Sequence, residues 1–376
     1  MTLSFELKGP EGAPVVLLLN SLGTTRAMWD PQVDALGDRY RFIRCDQLGH
    51  GRSPVPSGPY SIEQLGREAL SVLDAADAVT ASVVGLSLGA MVAMWLAVNA
   101  SERIDSLVLA CTSARLDPPE AWLTRAAAVR SADMSAVADA VLSRWFTPAF
   151  TNASVNADMI GDVRDQLLST PPEGYAACCE AIAAMDQLDT IRSIVAPTLV
   201  ITGDADPATP LDHGLAIHQR ITGSRLAVLP AAHLANIEAA DAFTKAIDDH
   251  LSADVRARGL AVRRHVMGAD YVARSTGGSP SWAVEFQRFL TRYAWGDVWS
   301  RSGLDRRTRS AITVALLAAG GHEPELRVHL RGALTNGLNR EEIGEVLMQM
   351  SLYAGLPAAN RAFAIAHEVL GQSESG

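Results

Sequence analysis

Ser87, at the centre of Gly85-Leu86-Ser87-Leu88-Gly89, is the residue of this chain whose surroundings point most directly to chemistry. The pentapeptide follows an apolar run, Ala81 to Val84, and opens a helical one, Met91 to Asn99. Small residues on both sides of a serine let a strand turn sharply into a helix and hold the hydroxyl at the tip of a nucleophile elbow. That hydroxyl attacks only when an imidazole takes its proton and a carboxylate fixes the imidazole's tautomer. Both partners follow in the order Ser, Asp, His. Thr198–Gly203 reads as a buried strand running into the polar turn Asp204-Ala205-Asp206-Pro207, where Asp206 is the expected acid and Asp204 its rival. Arg225–Pro230 reads as another strand, with His233 in the loop behind it. The run Ala13–Leu19 ends in Asn20-Ser21-Leu22-Gly23, and the backbone N–H groups of Leu22 and Leu88 are the candidate oxyanion donors. A turn serine, a solvated acid and a surface histidine are the ordinary alternative, which context and order disfavour.

A second cluster lies far down the chain, in Gly321-His322-Glu323-Pro324-Glu325-Leu326-Arg327-Val328-His329-Leu330-Arg331. Glu325 and His329 are four apart and share a helix face, with His322 in the loop before them. Such a set can hold and move a proton; the competing reading is a surface pair beside an idle loop histidine. A metal is not expected, because no fourth ligand and no HExxH pattern accompanies the set. No cofactor is expected either. A third feature is Arg144-Trp145-Phe146, whose arginine either meets a substrate carboxylate or rests on a helix surface beside a core tryptophan.

The elements that must position these residues divide into two kinds. Strands near 15–19, 41–45, 81–85, 106–111, 198–203 and 225–229 alternate with helices, which predicts a doubly wound, mostly parallel sheet covered on both faces. The strand-poor stretch Leu116 to Val195 reads as a helical cap above the strands' carboxyl ends. After His250 only helical spacing remains, over Asp254–Gly268, Pro280–Trp299, Asp305–Ala319, Pro324–Asn336, Arg340–Tyr353 and Pro357–Leu370. Asn339 with Glu342 forms a capping box, Pro324 and Pro357 suit first turns, and Gly337 and Gly355 suit stops. The expected domains are 1–252, α/β, and 258–376, all-α, joined by a linker near 252–258. Charge divides at the same place: 17 Lys and Arg face 30 Asp and Glu up to residue 252, and 15 face 12 beyond it. No basic stripe interleaved with aromatics appears, so nucleic acid is not an expected partner. No apolar run is long enough to span a bilayer and no basic-then-apolar leader opens the chain, so membrane association is not expected. Cys45, Cys111, Cys178 and Cys179 form no CxxC pair and read as free thiols; the expected location is the cytoplasm.

Longer motifs give the chain two resemblances. Residues 1–250 resemble the 3-oxoadipate enol-lactonases of the α/β-hydrolase fold through Asn20–Gly23, Asp46-Gln47-Leu48-Gly49-His50-Gly51-Arg52-Ser53, Gly85–Ala90, Arg144–Pro148, Gly203–Pro210 and Ala232–Glu238. Residues from about 258 resemble the 4-carboxymuconolactone decarboxylases through Arg263–Gly268, Leu304–Arg309, His329–Gly337 and Tyr353–Ala359. The resemblance implies a bifunctional enzyme of aromatic catabolism, in the protocatechuate branch of the β-ketoadipate pathway, acting on small anionic lactones. It implies decarboxylation of 4-carboxymuconolactone to the enol-lactone, then hydrolysis to 3-oxoadipate. It implies roles for His322 and His329 as proton donor and oxyanion stabiliser, and for Arg309, Arg327 or Arg331, with Arg144 and Trp145 in the first domain, as substrate-binding residues. Peroxidase-type relatives carry CxxCxxxH where this chain has His322, Glu325 and His329; without a cysteine there, thiol redox chemistry is excluded. Relatives often carry a glutamate where Ser310 stands, which leaves the proton-relay carboxylate open, with Glu325 the best remaining candidate. Homo-oligomerisation through the helical domain is expected. The competing function is a serine esterase or perhydrolase whose helical domain is a non-catalytic oligomerisation module.

Overall fold

A computed structural model describes residues 2–11, 13–276 and 281–371. Seven strands form one sheet: β1 (Phe5–Lys8), β2 (Val15–Leu19), β3 (Arg41–Cys45), β4 (Ala81–Leu86), β5 (Ile104–Ala110), β6 (Thr198–Gly203) and β7 (Arg225–Leu229). Their order is β1-β3-β2-β4-β5-β6-β7; β1 pairs antiparallel with β3 and every other pair is parallel. Strands β2 to β6 are largely buried on both faces, which is why they read as mostly apolar runs in sequence, β3 with Arg41 and Arg44 and β5 with Asp105 the exceptions within them. β1 escaped the sequence reading because it is a four-residue edge strand, half polar, with no such run.

The helix behind the elbow, Leu88–Asn99, is apolar on nearly every side, and nine of its twelve residues are buried. Gly89 is essential to its approach. A Cβ there would lie 2.1 Å from the Leu19 carbonyl oxygen, so only glycine lets the helix start against β2. Between β5 and β6 stand the cap helices, chiefly Pro119–Ala132, Ala138–Trp145, Ala157–Leu168 and Pro172–Ala183. The first and last of these pack along one another.

The chain divides into a unit Met1–Leu251 and a unit Ser252–Gly376. In the second, helices Arg306–Ala319, Glu323–Thr335, Arg340–Ala354 and Leu356–Gly371 surround a core that includes Val314, Leu326, Leu330, Leu347 and Ile365. Asn339 and Glu342 close the capping box reciprocally, and Gly337 and Gly355 adopt positive φ. The helix expected from Pro280 begins, among the described residues, at Ser281; Pro280 lies outside them. That helix runs into a π-helical segment, Thr291–Val298, and a helix absent from the sequence reading occupies Ala269–Thr276.

The expected linker has helical backbone, and the division between the two units falls where it begins, at Leu251/Ser252. Residues 252–258 lie inside a single helix, Ala240–Met267. The segment holds no glycine or proline to stop a helix; Ile247 and Leu251 are buried in the core of the first unit, and Val255 is buried in the second. Charge and small size, which suggested a linker, are equally compatible with a helix.

Candidate active sites

The carboxyl ends of the central strands gather Ser87, Asp206 and His233, the residues expected for hydrolysis. Ser87 follows β4 with φ 56° and ψ −117°, a left-handed backbone that non-glycine residues rarely adopt. Neighbours hold it there: its N–H donates to the Ala110 carbonyl (2.9 Å), and its carbonyl accepts from the Thr112 hydroxyl (2.8 Å). Asp206 follows β6 and His233 follows β7; His233 Nδ1 lies 2.8 Å from Asp206 Oδ2. Asp206 also accepts from the Ala208 and Thr209 N–H groups and, at 2.7 Å, from the Thr209 hydroxyl. Burial would raise its carboxyl, but the charge and hydrogen bond of His233 and the bonds from Thr209 outweigh that and hold it down at about 2. Asp206 therefore stays ionised and keeps the proton of His233 on Nδ1, leaving Nε2 as the base. Asp204, the rival acid, is exposed on the same turn.

Ser87, His233 and Leu22 line one cavity with about 430 Å³ of empty space. Leu88 is the first residue of its helix, so its N–H points outward without a turn before it to bond. The loop that carries Leu22 is held from below by a group the sequence reading left unassigned. The Gly23 N–H donates to His50 Nε2 (2.9 Å), and His50 Nδ1 in turn meets the Leu48 carbonyl (3.2 Å). Burial lowers His50 to about 4, so it remains neutral and keeps Nε2 as an acceptor.

Cap residues close the cavity. Arg144 and Trp145, expected there, both line it, and so do Trp122, Arg125 and Tyr175, which the sequence did not single out. No carboxylate lines it among the described residues. Glu238 fastens the cap to the histidine loop: it accepts from the Ala232 N–H (2.8 Å), the Thr147 N–H and the Thr147 hydroxyl. The Leu234 N–H adds a bond to the Trp145 carbonyl (3.0 Å). Glu238 closes a motif visible in the sequence, but its distant partner at Thr147 is visible only in the fold.

In the second unit, His329 sits against two tryptophans. Its ring stacks on Trp295 with centroids 6.1 Å apart and planes within 2°, and Trp299 lies tilted at the same distance. Trp295 belongs to the π-helical segment, a distortion that recurs at functional sites. Burial lowers His329 to about 4 against the opposing pull of the Glu325 charge, so the ring is neutral near pH 7. Glu325 and His322 are exposed, His322 as the residue that precedes the helix.

Comparison with known proteins yields two matches on one chain. The alpha/beta hydrolase fold family matches residues 14–240, and the carboxymuconolactone decarboxylase family matches residues 285–368. The chain belongs to both families. The 3-oxoadipate enol-lactonase 2 of Acinetobacter baylyi is 36% identical over 248 residues, covering 66% of this chain and 92% of that one. The 4-carboxymuconolactone decarboxylase of the same organism is 49% identical over 112 residues, 30% of this chain and 84% of that one. The crystal structure of the enol-lactonase from Burkholderia xenovorans superposes with a TM-score of 0.65 at 41% identity, covering 66% of this chain and 96% of that one. The protein is thus an enzyme in which an α/β-hydrolase precedes a decarboxylase-family domain.

Within the decarboxylase-family domain the three arginines implied by resemblance differ in their engagement. Arg327 is held by Glu368 at 2.7 Å, and Arg309 donates to the carbonyls of Leu304 and Arg301. Arg331 is exposed. Ser310, standing where relatives carry a glutamate, is buried and accepts from the Asn336 amide (2.9 Å). Among the described residues, no three His, Cys, Asp or Glu side chains are grouped so as to hold a metal ion, and no helix is long and apolar enough to cross a membrane.

Proposed function

We propose that this enzyme carries out two consecutive steps on a small anionic lactone: decarboxylation of 4-carboxymuconolactone and hydrolysis of the resulting 3-oxoadipate enol-lactone to 3-oxoadipate. The observation that carries the reading is the pairing itself. Relatives named for the two activities match 248 and 112 residues of one chain, and the two family matches follow one another along it, over 14–240 and 285–368. Together they support a bifunctional enzyme of the β-ketoadipate type.

In the hydrolase half, Ser87 Oγ attacks the lactone carbonyl while His233 takes its proton. The developing oxyanion is received by the N–H groups of Leu22 and Leu88. The ring oxygen leaves as an enol, which becomes a ketone once carbon is protonated, so the leaving group is a good one. Water, deprotonated by His233, then releases the acyl group from Ser87. Arg144 and Trp145 receive the remote end of the substrate. In the decarboxylase half, the departing carboxylate is vinylogous to the lactone carbonyl, so the electrons left behind when CO2 departs are held as a dienolate. The protein has only to steady that oxyanion and deliver one proton. A neutral His329 suits hydrogen bonding to the dienolate, with the exposed His322 and Glu325 carrying the proton from solvent, and Arg309, Arg327 and Arg331 as carboxylate partners.

Supplying 4-carboxymuconolactone to the full-length enzyme and following CO2 and 3-oxoadipate tests both steps at once. Equal yields of the two are expected. Hydrolysis of simple esters with no CO2 from the lactone would favour the esterase reading with a non-catalytic helical domain.

A further inference from the structure

We propose that Arg125 forms, with Arg144, a two-armed anion clamp that makes the hydrolase site select acyl groups ending in a carboxylate remote from the scissile bond. The inference deepens, and rests on, the reading of this site as one for an anionic lactone. Arg125 projects from the helix Pro119–Ala132 and is flanked on two sides: its guanidinium carbon lies 4.5 Å from the centre of the Trp122 ring, and the buried Tyr175, whose hydroxyl feels its charge, lines the same cavity. A guanidinium flanked in this way loses little freedom when it receives a ligand. Arg144 reaches the same cavity from the separate helix Ala138–Trp145, and burial together with the Arg125 charge lowers its pKa. Among the described residues neither guanidinium has a carboxylate partner. Arg130, on the same helix as Arg125, shows the contrast: it binds both Glu173 and Glu180. Two like charges facing one confined space are left uncompensated by the protein, and a carboxylate entering between them relieves both. Ser87 and His233 line the same cavity, so the tail is held while the carbonyl is attacked.

The test compares two esters of equal acyl length in the full-length enzyme, the mono-p-nitrophenyl ester of adipate and p-nitrophenyl hexanoate, which differ by the terminal carboxylate. The measured quantity is the ratio of kcat/KM for the anionic ester to that for the neutral one. Arg125→Gln is expected to lower this ratio about tenfold or more, chiefly through KM, as loss of a charge-assisted bond does. Arg125→Lys, which retains the charge without the planar fork, and Tyr175→Phe, which removes the neighbouring hydroxyl, should give intermediate ratios. A ratio within twofold of the parent enzyme in Arg125→Gln overturns the clamp, and the neutral ester reports folding in the same experiment. The lactone reading is scored separately. Turnover of enol-lactone with an unmoved ratio keeps that reading and removes the clamp; an Arg125-dependent ratio without enol-lactone turnover keeps the clamp and removes that reading.

Discussion

At the scale of the residue, a serine constrained at φ 56° and an ionised Asp206 2.8 Å from His233 gather the expected hydrolytic chemistry in a few atoms. Ser87→Ala is expected to abolish lactone hydrolysis while CO2 release continues, so that enol-lactone accumulates; loss of both activities in a folded variant would contradict two separate sites. Asp206→Asn should lower hydrolysis by roughly 10⁴-fold by presenting the wrong tautomer of His233, whereas Asp204→Asn should leave it nearly intact. In the other unit, His329→Ala is expected to reduce decarboxylation kcat roughly a hundredfold and leave hydrolysis of supplied enol-lactone unchanged. The serine, the histidine and the oxyanion loop were legible in sequence because each ends a recognisable apolar strand. Asp204 and Asp206 share one turn, so sequence left them as rivals; burial and a 2.8 Å approach to His233 distinguish them. Arg125, His50 and Glu238 were not assigned, since their neighbours are Tyr175, Gly23 and Thr147, remote in the chain and brought near only by folding.

At the scale of the element, residues 252–258 are helical, and this changes where a fragment of the second unit can begin. Val255 is buried, and a Cβ on Gly296 would meet its side chain and carbonyl within 2.7 Å, so the two are in close contact. A fragment beginning at residue 258 lacks Val255. It should be less stable than one beginning at 252, by about 2 kcal/mol or more, the range for removing a large buried aliphatic side chain; equal melting temperatures for the two fragments would contradict this. Gly89→Ala makes the opposite demand, pressing a methyl group against the Leu19 carbonyl, and should cost about 1–3 kcal/mol and reduce hydrolysis as the elbow shifts. Strand and helix placement was readable wherever periodicity was strong. Residues 252–258 show the limit: without a breaker residue, composition alone does not distinguish a charged helix from a tether.

At the scale of the whole molecule, three histidines held neutral, His50 and His250 buried and His329 half-buried, couple stability to pH. His50, His250 and His329 are each lowered by burial to about 4, below the ordinary value near 6.5 of the unfolded chain. Between those values the unfolded state binds more protons, so stability is full above about pH 6.5 and falls as pH drops toward 4. Asp206, held at about 2, adds nothing to this window because its own effect begins only below about pH 4. The melting temperature should therefore fall steadily from pH 7 to pH 5, and replacing His50 by glutamine should flatten part of the slope. A melting temperature independent of pH across that range would mean that these rings are not held neutral.

Glu238 ties the fate of substrate preference to that of turnover. The carboxylate that accepts from Ala232, next to His233, also accepts from Thr147, two residues beyond Trp145 of the cavity wall. A lineage drifting toward new lactones by altering its cap would disturb the base along with the pocket. Changes in the cap that shift Thr147 should therefore appear in kcat as well as in KM, and those that leave it in place are the ones open to selection for a new substrate.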